Sequence, residues 1–188
     1  MEQITRTLVR DKGHVKLEYV FKTYDIIFHP PKNAKPNFLK LCAHLRDVFM
    51  QGLPEREQSA SRADRLIMQS QKVDDLPFSE LALQSNYIGE GRNQHQIVED
   101  HFMKWCATCL ATEFPVYNDD MTTCGDILLY YPNTDTIDIL DFKPKAAQDK
   151  GATTQVYYTA KMLAFNTGIS LADIGGYYFD HETTFKVL

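Results

Sequence analysis

Two runs of strand-forming residues flank a four-residue turn signal, and this pair constrains the fold more than any other feature. Residues 125–131 and 137–143 lie on either side of Pro132, Asn133, Thr134 and Asp135. β-Branched and aromatic residues bounded by Pro, Asn and Asp predict a hairpin. Side chains alternate along a strand, so Ile137, Ile139, Asp141 and Lys143 share one face, while Asp138, Leu140 and Phe142 share the other. An acid and a lysine therefore stand side by side at the end of an otherwise apolar face. The turn also brings the start of the first strand beside the end of the second, so Asp126 faces Asp141. Two opposed carboxylates repel unless a cation sits between them, and oxygen ligands suit a hard ion such as Mg²⁺ or Mn²⁺. Lys143 supplies a charge able to hold or activate a water, or to neutralise a phosphate. An isolated Asp-x-Lys often marks no more than an ion pair at a strand end; the second acid gives this one its weight.

The segments around the hairpin follow its order. A helix is predicted over about residues 93–111, with Ile97, Val98, Phe102, Trp105, Cys106 and Cys109 on a broad apolar face. Residues 113–117 read as a short edge strand because they contain Pro115. A second helix runs from about residue 153 to 165 and is stopped by Asn166, Thr167 and Gly168; strands follow at 175–180 and 185–188. Nearer the start, residues 14–22 and 24–28 predict two strands or one bent strand, ended by His29, Pro30 and Pro31. After Pro36, Phe38, Leu41, Leu45, Val48 and Phe49 fall at helical spacing up to Gly52. A largely polar surface helix is expected from residue 55 to about 71.

The length of 188 residues makes one domain the default, and 44% hydrophobic with 24% charged residues suits a globular protein and argues against a disordered chain, a collagen-like repeat or a coiled coil. The net charge of −5 disfavours a general nucleic-acid binder at first sight. It hides an asymmetry: residues 1–72 hold 13 Lys/Arg against 8 Asp/Glu, and residues 73–188 hold 7 against 17. No apolar run approaches the ~20 residues that cross a bilayer, and the opening residues lack an apolar signal core, which predicts a cytoplasmic protein. Four unevenly spread cysteines read as reduced thiols, with Cys106 and Cys109 as small hydrophobes on the helix face.

The spacing Asp126 … Asp141-Phe142-Lys143, framed by helix, hairpin and helix, resembles the PD-(D/E)XK nuclease superfamily, in particular its RecB-like branch of phage exonucleases and CRISPR-associated nucleases. That branch opens the helix before the sheet with Gly-x-x-x-His or Gly-x-x-x-Glu; Gly91, Arg92, Asn93, Gln94 and His95 match it, and Glu99, one turn later, is the other candidate. Gly125 matches the small residue before the first acid. Gln155 and Tyr158 are the counterparts of the branch's Gln/Tyr helix, although its tyrosine often stands four residues after the glutamine, where this chain has Thr159.

The resemblance covers roughly residues 88–188 and implies an α/β (α+β) fold. It comprises a restriction-endonuclease-like αβββαβ core at 88–188, a mixed sheet flanked by helices, after a basic strand-plus-helical extension at 1–87. It further implies one or two Mg²⁺ or Mn²⁺ ions on His95 or Glu99, Asp126, Asp141 and the backbone carbonyl of Phe142, with Lys143, Gln155 and Tyr158 completing the catalytic set. The expected activity is hydrolysis of DNA, by an exonuclease rather than an endonuclease, leaving 5′-phosphate and 3′-hydroxyl ends. Arg92 and Lys145, with Arg62 and Arg65 on the predicted polar helix, are the expected substrate contacts, and Lys32, Lys35 and Lys40 just before that helix extend the same basic surface. The iron–sulfur cluster of some RecB-like nucleases is not expected, because it uses three late cysteines and none follows Cys124. Two other readings stay open: a nuclease-fold protein that binds nucleic acid or a protein partner without cutting, and a zinc-binding adaptor built on Cys106 and Cys109.

Overall fold

The hairpin at 125–143 becomes the centre of an eight-stranded mixed sheet. The structure, a computed structural model, describes residues 1–12, 15–54, 66, 68–86 and 94–188, with the backbone alone at 10–12 and 15–17. The strands are β1 (Gln3–Lys12), β2 (Val15–Tyr24), β3 (Gln71–Val73), β4 (Cys109–Tyr117), β5 (Thr122–Tyr131), β6 (Thr136–Phe142), β7 (Ile174–Phe179) and β8 (Thr184–Lys186). Their order across the sheet is β1-β2-β4-β5-β6-β7-β8-β3. Every pair is antiparallel except β6–β7. Parallel neighbours need a crossover, and α4 (Ala152–Thr167) provides it. The other helices are α1 (Pro36–Gln51), α2 (Phe78–Gln84) and α3 (Gln94–Trp105). From α3 to β7 the order is helix, three strands, helix, strand, as the sequence pattern predicts, and the whole is an α+β fold.

Both faces of the sheet are covered, which is why β5 is buried along nearly its whole length. Leu128, Ile137 and Ile139 pack with Leu41 and Leu45 of α1 and Ala160 and Leu163 of α4. Ile127, Leu129, Leu140 and Phe142 point the other way, against Phe78 of α2 and Val98 and Phe102 of α3. Long-range contacts fix the helices. The Asn37 backbone N–H, in the first turn of α1, donates to Asp135 Oδ2 (3.2 Å), so the hairpin turn caps a helix 98 residues away. His44 Nε2 lies 2.8 Å from the Pro115 carbonyl, and Gly168 closes α4 in the left-handed conformation (φ 67°) that glycine adopts readily.

Several boundaries differ from expectation. α3 ends at Trp105, not near residue 111: Cys106 follows the helix and Cys109 opens β4, so neither cysteine stands on a helix face. The backbone from Cys109 onward is needed to pair with Leu128 and Leu129 of β5. Residues 113–117 belong to an interior strand; β2 pairs with Ala111 and Thr112, so Pro115 sits beyond that pairing and costs no ladder bond there. The N-terminal pattern splits into the β1–β2 hairpin and a 3-10 turn at Asp25–Ile27 that buries Ile27, and the strand over Gln3–Lys12 was missed by the pattern. The helix expected up to about residue 71 lies mostly outside the described residues, but its end is corrected: Leu66 and Met68 are not helical and Gln71 begins β3. The sheet runs across the boundary at residue 87, since β1, β2 and β3 all belong to it. Among the described residues no helix is long and apolar enough to cross a membrane.

Candidate active site

The hairpin register carries the site. Ile127 pairs with Leu140, so Asp126 and Asp141 occupy the next step of the ladder, and the Phe142 N–H donates to Asp126 Oδ2 (2.8 Å). Both acids are buried. Lys143 is the first residue past β6; its backbone N–H donates to the Phe179 carbonyl (2.9 Å) and its Nζ lies 2.7 Å from Asp141 Oδ2. Gln155, on the first turn of α4, joins the pair: Nε2 donates to Asp141 Oδ1 (2.9 Å) and Oε1 accepts from Lys143 Nζ (3.3 Å). Buried Asp180 holds the chain after Lys143 in place, accepting from the Ala146, Glu182 and Thr183 N–H groups.

From the opposite face, α3 brings His95 and Glu99 one turn apart. His95 Nδ1 is 3.3 Å from Asp126 Oδ2, and its ring stands edge-on to Phe142 at 5.2 Å. One ligand atom each from His95, Glu99 and Asp126 lie within 4.8 Å of one another. Glu99 is 3% exposed, and its Oε1 is buried with no hydrogen-bond partner. A buried carboxylate oxygen without a donor is costly, and a cation relieves it.

A fourth acid went unnoticed in the motif pattern. Glu113 lies between the pairs Thr112–Ile127 and Phe114–Gly125, opposite Asp126, with φ 48°. This left-handed backbone costs a side-chain-bearing residue about 1–2 kcal/mol. Its one signal in the sequence is a lone charge inside the otherwise uncharged run 109–117. Beside it, Phe114 explains Gly125: a Cβ on Gly125 would come within 2.3 Å of the Phe114 ring.

The acids perturb one another. Burial, then the charge of Asp126, lifts Asp141 to about 7 against the pull of Lys143. Burial with Asp126 raises Glu113 to about 7, and burial with Glu113 and Asp126 raises Glu99 to about 10. Burial opposes ionisation of Asp126 as well, but the His95 contact, the Lys143 charge and the Phe142 N–H outweigh it and hold its carboxyl below the ordinary value. His95 and Lys143 are raised, because the carboxylates of Asp126 and Asp141 outweigh the burial that disfavours their charged forms. The arrangement therefore favours the ionised form of one acid, raises the other three, Glu99 furthest, and sets a lysine against them.

Other expected residues stand apart. Lys145 is exposed and lines, with Lys143, Pro144, Gln148 and Asp149, a hollow of about 330 Å³. Tyr158 is not brought to the acids; it packs against the core cluster under α1 and α4 and meets the Tyr157 ring at 5.8 Å. Thr159 fills the position four after Gln155 and bonds back to the Gln155 carbonyl (2.9 Å), a helix-internal contact. Gly91, Arg92, Arg62 and Arg65 lie outside the described residues. Comparison with protein-family models, curated proteins and solved structures found no match.

Proposed function

We propose that this chain is a metal-dependent nuclease that hydrolyses DNA phosphodiester bonds, working from ends, and leaves 5′-phosphate and 3′-hydroxyl products. The observation that carries the reading is the unpartnered Glu99 Oε1 within the His95–Glu99–Asp126 group, across the β5–β6 ladder from the Asp141–Lys143–Gln155 triad. The donor set, one imidazole nitrogen with carboxylate oxygens, fits Mg²⁺ or Mn²⁺. Asp141, across the strand pair from Asp126, and the Phe142 carbonyl would complete the ligand set. Such an ion would polarise a phosphate oxygen and supply a bound water acidic enough to attack.

The chain's own residues do the rest. Asp126 stays ionised through His95, Lys143 and the Phe142 N–H, so negative charge persists where a cation is needed. Gln155 holds both Asp141 and Lys143, fixing the ammonium at the end of β6, where it stabilises charge developing on a phosphoryl group. Lys145, beside Lys143 in the open hollow, gives neighbouring phosphates a cationic approach.

Purified protein with Mn²⁺ or Mg²⁺ is expected to degrade linear DNA, and Asp141→Ala to lower the rate by at least ~100-fold. Comparing linear with circular substrates, each single- and double-stranded, reads the requirement for ends. Cleavage that survives Asp141→Ala undiminished overturns the assignment.

A further inference from the structure

The outer face of α4 carries a pattern that neither the core nor the acid cluster uses. The helix buries Val156, Ala160, Met162 and Leu163, so Tyr157, Lys161 and Phe165, spaced four residues apart, form a stripe on its solvent side. Lys161 is exposed, Phe165 is 62% exposed and Tyr157 is half-buried. Lys161 Nζ lies 5.5 Å from the centre of the Tyr157 ring, a cation over an aromatic face. No Asp or Glu occurs between residues 152 and 167, in a chain that holds 25. Exposed Lys150 precedes the helix, and exposed Lys40 reaches its far end by donating to the Gly168 carbonyl (2.9 Å). Asp149, the acid next before the helix, is engaged: its Oδ1 accepts from the Gly151 and Ala152 N–H groups (2.7 Å each). The Leu66 N–H donates to Thr154 Oγ1 (3.1 Å), so the chain crosses the first turn there and the open stripe begins at Tyr157. Scattered exposed apolar residues are ordinary. Here aromatic rings alternate with cations along an acid-free helix whose first turn carries Gln155.

We propose that this stripe is the path of a single-stranded DNA tail leaving the active site. The inference rests on the nuclease reading above and names the form of its substrate. α4 begins beside the acids, where Gln155 holds Asp141 and Lys143, and Phe165 stands ten residues later, roughly 15 Å along the axis. A strand that leaves the scissile phosphate in this direction meets Lys150, Lys161 and Lys40 with its phosphates and lays its bases on Tyr157 and Phe165. Bases in a duplex are already stacked on one another, so the rings gain contact only from an unpaired strand. Charge selects the partner as well. A chain of phosphates suits a face with cations and no acids, whereas an apolar protein segment would desolvate Lys161 without a counter-charge.

Fluorescence anisotropy in chelator, which withholds the metal, reads the affinity of the full chain for an oligonucleotide of about ten nucleotides and for its duplex across a salt series. Phe165→Ala is expected to weaken single-strand binding about fivefold or more without changing its salt slope, and Phe165→Trp to keep it near wild type. Lys161→Met should lower the slope of log affinity against log salt by about 0.7, the value for one phosphate contact on a single strand. Duplex affinity should not respond to Phe165→Ala. Both side chains are exposed, so the melting midpoints should stay at the wild-type value. Unchanged single-strand binding by both variants, or an equal loss on the duplex, overturns the path. So does a dimer of the free chain that Phe165→Ala dissociates in sedimentation, which assigns the face to a second copy. If the wild-type chain cuts DNA while both variants bind single strands normally, the path fails and the nuclease reading stands. If the variants show the expected losses on a chain that Mn²⁺ and Mg²⁺ leave inactive, the nuclease reading fails and the strand-binding face stands.

Discussion

Glu99, Glu113 and Asp141 hold their protons in the folded chain over a pH range where the unfolded chain has lost them. Their ordinary values are 4.5, 4.5 and 3.8, and folding lifts them to about 10, 7 and 7. The folded state therefore binds more protons between those limits, and stability falls as pH rises through the window. His95, also raised, contributes in the same direction. Asp126 and His44 are lowered, so their contributions are lost only as pH falls, on the acid side of neutrality. Between about pH 6.5 and 8.5 the metal-free protein should lose on the order of 1 kcal/mol per pH unit, a few degrees in the melting midpoint. If the proposed metal site holds, Mn²⁺ would replace those protons, and its stabilisation should be larger at pH 8.5 than at 6.5. Thermal melts in chelator and in Mn²⁺ at both pH values read this, and a metal-free midpoint that climbs across the window contradicts it. At this scale Asp126, Asp141 and Lys143 were legible because an alternating strand assigns faces from sequence alone. Glu113 was not, since its left-handed backbone breaks the alternation that such a reading depends on.

The site is assembled from the middle of β5, the end of β6, the first two turns of α3 and the first turn of α4. Their alignment depends on the close approach of β4 to β5, where the Phe114 ring lies over Gly125. Phe114 is fully buried among the α1- and α4-facing core residues and cannot swing away. Gly125→Ala should therefore cost about 2–3 kcal/mol and shift Asp126, its neighbour, with loss of Mn²⁺ binding. Denaturant unfolding with parallel ion binding checks both parts; an alanine variant of wild-type stability would mean that the ring moves freely. The β5–β6 hairpin and α1 were readable because their signals are local: a turn composition, a proline at the helix start, a glycine at its end. The length of α3 was overestimated because Cys106 and Cys109 continue helical apolar spacing. Nothing local tells the chain that Cys109 must instead pair with Leu129 across a sheet.

Across the whole molecule, β1, β2 and the turn after them contribute side chains to the core that the second half needs. Leu8, Phe21 and Ile27 pack in one cluster with Leu110, Phe114 and Val116, and Thr23 Oγ1 donates to the Leu110 carbonyl (3.0 Å). On the other edge, Gln71–Val73 covers β8. A fragment of residues 88–188 should consequently expose β4 and lack half its core, giving a broad melt, weak near-ultraviolet dichroism and dye binding typical of a loosely packed state. A sharp cooperative melt of that fragment would show that the N-terminal strands are dispensable. What the sequence alone determined is local in origin: the hairpin, the facing of Asp126 and Asp141, the lysine beside them, the helix after Pro36 and the stop at Gly168. The tertiary structure decided which distant segments meet. It set Lys22 against Thr112 in the sheet and its ammonium against Asp100, paired β3 with β8, aligned β6 parallel to β7 and left Tyr158 away from the acids. The physical reason is that periodicity and turn chemistry act over a few residues, whereas strand partners and buried charges are chosen by the packing of the entire chain.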